Sequence, residues 1–578
     1  MKLLALCSAV LLWTHAAYGA DKAWTEVRSE HFRVLSDGDA KEARAVARQF
    51  EQIRAAFAAA LPSLNPDPPV PLLILAPKDA TSAKALLPQM WKRGAPGGFF
   101  SAGREKAFAL VRLDVVRDGH TVAFHEYTHS ILNSNFRWLP LWLNEGLAEF
   151  FGNTRFESDR IYVGAANIRA EYTRGASLLP LEKLLKVDAS SAEYQDPDKV
   201  QMFYSESWAL VHMLLVPSSA ERGKRLQQYL TLIDKGADAV NAFRSAIGEP
   251  ADMEKQLNTY LDRKSFDVLV SNSPTEVVEE TFTARALSSG EINEELGTVQ
   301  VWLGENAAAR KRLEQTLKDD PRSALANESM GFLHVHEGRN PQALAHFERA
   351  LQLNARLYLS AYYAAMLSST NKSTTDLRGA MNRVLELNPE FAPAHLQLAA
   401  SYLRDGNSQN AVTPALKAVQ IRPALGGYHT ALGRILHAAG RDDEAAAVAR
   451  YVAERWQDLH HDEAVDLWEM LSPDARKGAD FPRRPTPSGT REVRGSVTSL
   501  TCRDNRRVMD IVIDSKPHTF RVNDNQIRLG LADSVWYAPD HFNRCHHIEG
   551  LRAIIYYKQS SNSRITGDLV QFDIHRVN

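Results

Sequence analysis

The chain has 578 residues, of which 44% are hydrophobic and 24% are charged, an ordinary composition for globular domains. This length is too great for one hydrophobic core and predicts three or four domains. Lys and Arg total 68, and Asp and Glu total 70, so no charge excess would attract nucleic acid or an acidic membrane surface. We therefore expect no nucleic-acid partner, and any chemistry must reside in local motifs.

Residues 1–20 have the pattern of a secretory signal peptide. Lys2 is followed by a short apolar run, Leu3–Trp13, and then by the small-x-small sequence at Ala17–Gly19. A membrane-spanning helix needs about 20 apolar residues, more than this run supplies, and no later stretch is long and apolar enough. We expect a periplasmic or secreted protein whose mature chain has no transmembrane segment.

Residues 21–270 mix strand-like and helix-like patterns, which predicts an α+β domain. Strands are predicted at Trp24–Ser36, Pro71–Pro77 and Ala107–Asp114, and a helix at Lys41–Leu61.

The next stretch contains the motif H-E-x-x-H, formed by His125, Glu126 and His129. Because four residues make slightly more than one helical turn, both imidazoles face the same side and can bind one ion. Zinc accepts imidazole nitrogen, and a neighbouring carboxylate can take a proton from water that the metal activates. The motif therefore predicts one Zn²⁺ with Glu126 as general base. A surface helix with two solvated histidines is the alternative.

A second helix is predicted after Pro140 and places Glu145 and Glu149 four residues apart, on one face. Its sequence, WLNEGLAEFF, together with H-E-x-x-H, resembles the gluzincin metallopeptidases of the peptidase MA-like group. The resemblance covers about the first 270 residues, and only the two metal helices are specific. It implies that Glu145, in the Asn-Glu pair, is the third zinc ligand and that Glu149 orients a ligating histidine.

The spacing of the two helices leaves the choice of third ligand open. Fifteen residues separate His129 from Glu145, fewer than in the thermolysin-like or aminopeptidase-N-like groups, whereas the nineteen before Glu149 would suit the thermolysin-like group. The Asn-Glu-Gly context favours Glu145. Glu149 would then be either the orienting carboxylate or an ordinary acid on the helix surface.

The same resemblance implies a downstream tyrosine that donates a hydrogen bond to the developing oxyanion. Tyr204 is the candidate, although its apolar helix suits a core residue equally well; Tyr172, Tyr194 and His212 are weaker candidates. The strand Ala107–Asp114 would be the sheet edge that pairs with substrate. No Gly-x-Met-Glu-Asn segment precedes it, which argues against aminopeptidase specificity and for an endopeptidase.

Residues 271–289 are polar and predict a linker, and residues 290–458 then repeat with a period of 34. Small residues at two places in each repeat would let paired helices pack closely, and proline would end the second helix. The pattern resembles about five tetratricopeptide repeats, whose solenoid would bind a protein partner or the substrate in its groove. The two rows are Gly297, Gly331, Ala365, Ala399 and Gly433, and Ala309, Ala343, Leu377, Ala411 and Ala445.

Residues 459–490 predict a second linker, and residues 491–578 alternate in short runs that predict a small antiparallel β sheet or barrel. Once Cys7 leaves with the signal peptide, Cys502 and Cys545 remain. In an exported protein they suggest one disulfide, with two unpaired buried thiols as the alternative. His546 and His547 beside them are interpreted as surface residues, because adjacent side chains point in different directions.

Two functions follow from this organisation. The first is an exported zinc endopeptidase with a repeat solenoid for docking. The alternative is a non-catalytic tetratricopeptide scaffold whose front domain is an inactive metal-binding relative; a structural envelope-assembly protein is a third possibility.

Overall fold

The structure is a computed structural model of the chain. It describes residues 24–88, 98–102, 105–115, 118–157, 160–166, 168–173, 176–188, 191–216, 220–272, 277, 279–368, 373–456, 459–477, 481, 489–503, 508–522, 528–531, 551–560 and 565–576. The predicted signal peptide lies outside them. Within these ranges, no helix has the length and apolar character needed to cross a bilayer.

The front domain is built on a six-stranded mixed sheet. Its strand order is β4-β5-β3-β2-β1-β9, in which β2, β3 and β5 are mutually parallel and the other pairs are antiparallel. Its strands are β1 Thr25–Arg28, β2 Arg33–Ser36, β3 Leu72–Ala76, β4 Gly98–Ala102, β5 Ala107–Val111 and β9 Thr283–Ala286.

Helices surround this sheet, and a three-stranded sheet of order β6-β7-β8 completes the domain. The longest, α1, begins with a capping box between Asp39 and Glu42 and buries Phe50 and Phe57 in the core. The helices are α1 Ala40–Ala60, α2 Ala80–Leu86, α3 Asp118–Asn135, α4 Leu141–Gly152, α5 Ile168–Thr173, α6 Leu181–Leu184, α7 Ala192–Gln195, α8 Pro197–Leu215, α9 Ala220–Asp234, α10 Ala239–Ala246 and α11 Pro250–Leu261. The small sheet contains β6 Arg155–Glu157, β7 Arg160–Val163 and β8 Leu269–Asn272.

The strand predicted as the sheet edge lies inside the sheet. All five residues of β5 are buried, and the strand pairs with β3 on one side and with β4 on the other. The edge strand is β4, whose Gly-rich start resembles a loop by composition. Which strands flank β5 depends on how distant segments pack, so the residue pattern within β5 cannot predict it.

The predicted linker at 271–289 is also partly strand. The end of β8 pairs with β7, and β9 pairs with β1 through Thr25 opposite Ala286. Side chains along β9 are mostly exposed, so its polar composition resembles that of a linker although its backbone is bonded into the sheet.

The 34-residue period is confirmed as five helix pairs. The second helix of each pair begins at 306, 340, 374, 408 and 442, in constant register. The pairs are α12 Ser289–Trp302 with α13 Asn306–Asp319, α14 Ala324–His336 with α15 Asn340–Leu353, α16 Tyr358–Leu367 with α17 Thr374–Leu387, α18 Ala392–Arg404 with α19 Ser408–Ile421, and α20 Gly426–Ala438 with α21 Asp442–Arg455.

Small residues in these pairs are required by close packing. A Cβ added at Gly331 would lie 2.6 Å from the Phe347 ring, and one at Gly433 would lie 2.3 Å from Leu467. Leu467 belongs to a further helix, α22 Leu459–Met470, in the region predicted as the second linker. This helix packs against α20 and α21 and covers the apolar end of the array, as a terminal helix in a solenoid must.

The array packs against the front domain at both of its ends. Leu296 and Val299 of α12 share a buried cluster with Leu35, Leu75 and Leu110 of the front sheet. At the other end, Arg455 donates to the carbonyl oxygen of Gly236 at 2.8 Å, and its guanidinium lies over the Trp138 ring.

The C-terminal domain is a small barrel with mixed pairing, where an antiparallel sheet or barrel was predicted. Strands β10 to β12 form an antiparallel meander, β14 pairs with β10 and β15, and Phe520 opposite Gly567 closes the barrel through a parallel pairing of β12 with β15. Alternation predicts strands but not their direction. The strands are β10 Arg491–Arg503, β11 Val508–Ile513, β12 Lys516–Arg521, β13 Arg528–Leu531, β14 Leu551–Gln559 and β15 Gly567–Arg576.

Cys502 lies in β10, but its side chain and the whole of Cys545 fall outside the described residues, as do His546 and His547. The disulfide therefore remains a prediction.

Candidate metal centre

Helices α3 and α4 pack together and form the floor of a cleft. Phe124, Ile131 and Leu132 of α3 are buried in the core, which turns His125 and His129 toward the cleft. The α4 helix follows Pro140, whose carbonyl oxygen accepts the first helical hydrogen bonds, and it is buried almost throughout. Both helices are thus fixed by apolar packing on the sides away from the cleft.

Three donor atoms converge at this floor. The Nε2 atoms of His125 and His129 lie 3.0 Å apart, and the Oε2 atom of Glu145 lies 3.4 Å from each. For zinc bonds of about 2.0–2.1 Å, tetrahedral ligand atoms are about 3.3–3.4 Å apart, so this set fits one such ion. Among the His, Cys, Asp and Glu side chains in the described part of the chain, these three have donor atoms close enough together to hold a metal.

The surroundings of Glu145 suit a bound cation. It is 5% exposed, and its Oε2 atom is buried without a hydrogen-bond donor among the described residues. Such an unsatisfied buried oxygen is costly, and a divalent ion would satisfy it. Burial would raise the pKa of Glu145, but the imidazoles of His125 and His129, when they carry a proton in place of a metal, outweigh burial and lower it to about 2. The carboxylate is therefore kept in the ionised form that binds metals.

Side chains behind the two histidines set their orientation. Asn144 Oδ1 lies 2.9 Å from His129 Nδ1 and accepts its N–H, so that Nε2 faces Glu145 with its lone pair. Glu149 Oε1 lies 3.7 Å from His125 Nδ1. The two acids of α4 thus face different ring nitrogens: Glu145 lies at the Nε2 atoms and Glu149 at an Nδ1 atom.

Asn144 was not predicted as a site residue. The signal was available in the Asn-Glu-Gly sequence, where Asn144 precedes Glu145, but a helical wheel does not show which side chain reaches the far nitrogen of His129.

The cleft above these atoms has a volume of about 720 Å³, and Glu126 lines it next to both histidines. Tyr194 also lines it and donates to Glu145 Oε1 at 3.2 Å. The Tyr204 ring lies 6.4 Å from the His125 ring and 6.2 Å from the Tyr194 ring, centroid to centroid. Both tyrosines proposed from sequence therefore lie beside the donor set.

The two tyrosine hydroxyls remain protonated at neutral pH. Burial, and then the charge of Glu145, raises the pKa of Tyr194 to about 12, and the same two causes raise the pKa of Tyr204. Both groups are therefore hydrogen-bond donors rather than acids.

The other candidates do not line the cleft. Tyr172 is 48% exposed on α5. His212 is fully buried, accepts from the Tyr260 hydroxyl through Nδ1 at 2.6 Å and donates through Nε2 to the Gly164 carbonyl oxygen at 2.8 Å. Burial lowers the pKa of His212 to about 4, so it is a neutral core residue.

Arg422, at the end of α19, also lines the cleft and thereby brings the repeat array to the site. Sequence patterns carried no signal for this contact, because it depends on how the array folds back over the front domain.

The Asn-Glu-Gly glycine sets the position of α4 against α8. A Cβ at Gly146 would lie 2.5 Å from the Ser207 carbonyl oxygen, so Gly146→Ala should destabilise the front domain by about 1–3 kcal/mol. The control is Gly223→Ala in α9, where an added Cβ meets nothing within 4 Å, and helix propensity predicts a gain of up to about 1 kcal/mol. Calorimetric melting should move in opposite directions; equal shifts would refute the packing argument.

Glu206 on α8 predicts a pH dependence of stability. Its side chain is fully buried, Oε1 accepts from the Leu179 N–H at 2.6 Å, and Oε2 has no partner among the described residues. Burial raises its pKa from the ordinary 4.5 to about 8. Between these values the folded state binds a proton that the unfolded state has lost, so stability should fall as pH rises, by up to about 1.4 kcal/mol per unit.

Glu206→Gln keeps the acceptor and removes the ionisation. Melting from pH 5 to pH 8.5 should therefore show a flatter decline than in wild type, and an unchanged slope would contradict the assignment.

No protein-family model matches the chain, and a search of curated proteins found no match. Among solved structures, the MamA protein is 18% identical, with 33% of this chain and 96% of that chain covered and a TM-score of 0.25. A thermophilic TPR protein of Thermus thermophilus is 19% identical, with 31% of this chain and 98% of that chain covered and a TM-score of 0.25. YrrB, a TPR protein with an unusual peptide-binding site, is 16% identical, with 31% of this chain and 91% of that chain covered and a TM-score of 0.27.

Likeness at this level carries no argument about function. The repeat assignment depends on the chain's own five helix pairs and their 34-residue register. On that basis the region from 289 to 470 is a tetratricopeptide-like helical array following an α+β domain.

Proposed function

We propose that this protein is an exported zinc-dependent endopeptidase. The observation that carries the proposal is the triangle of His125, His129 and Glu145 donor atoms beside Glu126 in an open cleft. Two histidines and a glutamate are a ligand set that leaves zinc a fourth position for water or substrate. When bound there, zinc would act as a Lewis acid and lower the pKa of water.

Different residues of the cleft would then perform different steps of the reaction. Glu126 takes a proton from the water that attacks the peptide carbonyl and returns it to the leaving amine. Tyr204 supplies a hydroxyl donor for the developing oxyanion, and Tyr194 donates its hydroxyl to Glu145 Oε1. Asn144 and Glu149 hold the two imidazoles in the orientation that presents Nε2.

The shape of the cleft supports a peptide substrate. Among the described strands β4 pairs only with β5, and Phe100 of β4 lines the cleft. A strand with one unpaired edge can bind an extended peptide through main-chain hydrogen bonds. Export rests on the signal-peptide pattern of residues 1–20.

A second candidate is a non-catalytic scaffold that binds a protein partner through the repeat array. The observation in its favour is the array itself, five stacked helix pairs in one register, because stacked repeats create an extended concave surface for binding.

The two candidates are separated by metal analysis and cleavage of a peptide library. A peptidase should contain about one zinc per chain and cleave the library, with cleavage lost in Glu126→Gln. If wild type and Glu126→Gln bind the same partner and neither cleaves any peptide, the scaffold is correct.

A further inference from the structure

The hairpin that walls one side of the cleft is formed by β4 and β5. Phe100 and Ala107 of this hairpin line the cleft, and β4 contacts the metal helix α3. The β4 strand has β5 as its pairing partner, so its position depends on β5, on α3 and on whatever holds the turn between the two strands.

The end of that turn is inserted into the repeat array. Glu105 is 5% exposed, and its Oε1 accepts the Tyr363 hydroxyl of α16 at 2.8 Å. Lys106 Nζ lies 3.4 Å from Glu328 Oε1 of α14, and Glu328 Oε2 accepts the Ser360 hydroxyl at 2.8 Å. Two buried acids therefore meet at this interface. Glu105 accepts from the array, and Glu328 of the array contacts both Lys106 and a neighbouring serine.

The array side of this contact is a closely packed group of aromatic rings. The Tyr363 ring packs against Phe332 at 4.9 Å and stacks on Phe347 at 5.7 Å, centroid to centroid. Lys106 Nζ also lies 6.0 Å from the centre of the Trp302 ring. The hydroxyl of Tyr363 is thus presented from a packed aromatic cluster, and holding it there costs little conformational entropy when Glu105 binds.

From these contacts we infer that the repeat array positions the cleft wall: Tyr363 and Glu328 are positioning residues that fix the β4–β5 hairpin beside the metal centre. The first helices of the second and third repeats therefore serve an intramolecular function. This inference rests on the proposed function only for its effect on cleavage, since the fixing of the hairpin is a property of the fold.

The geometry also explains the sequence of the turn. A buried Glu105 and a partly buried Lys106 at a turn would be unusual in an isolated front domain, because charged groups at turns are normally solvated. Both have partners on the array, Tyr363 for Glu105 and Glu328 for Lys106, so the hairpin and the array are matched surfaces of one chain.

Hydrogen exchange of the full-length protein tests the inference without requiring activity. Tyr363→Phe removes the donor to Glu105 and should make the amides of Phe100–Val111 exchange about tenfold faster. Tyr402→Phe is the control, because it removes a tyrosine hydroxyl from α18, in the fourth repeat, and it should leave those amides unchanged. Equal exchange in the two variants would overturn the inference.

Exchanging the charges of Lys106 and Glu328 distinguishes loss of this contact from general misfolding. Lys106→Glu places an anion opposite Glu328 and should loosen the hairpin, and adding Glu328→Lys should restore its protection. Failure of the double variant to restore protection, or faster exchange throughout the array in Tyr363→Phe, would also overturn the inference.

If wild type cleaves peptides, Tyr363→Phe should raise KM with kcat and zinc content unchanged. If wild type cleaves none, the exchange results still decide the positioning role, and only the proposed function fails.

Discussion

Glu126→Gln should reduce kcat/KM for peptide cleavage by about 10²- to 10⁴-fold while the protein keeps its zinc. Glutamine has nearly the same shape as glutamate but cannot take a proton from water. Because Glu126 lines the cleft and is not one of the three converging donors, its replacement should leave the metal site intact. Steady-state cleavage of a library-derived peptide, together with metal analysis of the same preparation, measures both quantities.

The matched control is Glu171→Gln, an exposed glutamate on α5 outside the cleft lining, which should retain wild-type activity. Full activity in Glu126→Gln would exclude its role as general base. Loss of zinc together with activity would show that Glu126 supports the metal site instead, and the mechanism would need another base.

The second large effect concerns the third ligand. Glu145→Ala should weaken zinc binding by more than about 100-fold, whereas Glu149→Ala should weaken it by about 10- to 100-fold, as expected for a carboxylate that orients a ligand. The reason is the observed separation of the two acids: Glu145 Oε2 lies 3.4 Å from both Nε2 atoms, and Glu149 Oε1 lies 3.7 Å from His125 Nδ1.

Competition with a chromophoric chelator measures both affinities. Thermal melting gives an independent readout, because a ligand present at 100 times its dissociation constant stabilises the folded state by about 2.7 kcal/mol. Added zinc should therefore raise the melting temperature of wild type, raise that of Glu149→Ala less, and leave that of Glu145→Ala unchanged. A larger loss in Glu149→Ala than in Glu145→Ala would reverse the assignment of the two acids.

Local and periodic features were predictable from the chain alone. The 34-residue register of small residues predicted the helix pairs, because each pair needs the same close approach at the same place. The H-E-x-x-H spacing predicted that His125 and His129 share one face of a helix, a consequence of helical geometry. The Asn-Glu-Gly context favoured Glu145 over Glu149, although residue counting alone suited Glu149, so the sequence left the third ligand open.

Other features depended on contacts between distant segments, and for these the chain carried weak or misleading signals. Local alternation identified β5 as a strand but not its neighbours, so β4 was missed as the edge. The polar segment that contains β9 resembled a linker, since an exposed strand and a linker have similar compositions.

By itself, then, the sequence determined the two metal helices, the repeats and the pair of histidines, because these follow from regular spacings along the chain. Only the tertiary structure decided that Glu145 meets both imidazoles, that Asn144 orients one of them, and that Arg422 and Tyr363 bring the array to the cleft. The physical reason is that such contacts join residues far apart in the chain, and which of them form depends on how whole helices and sheets pack.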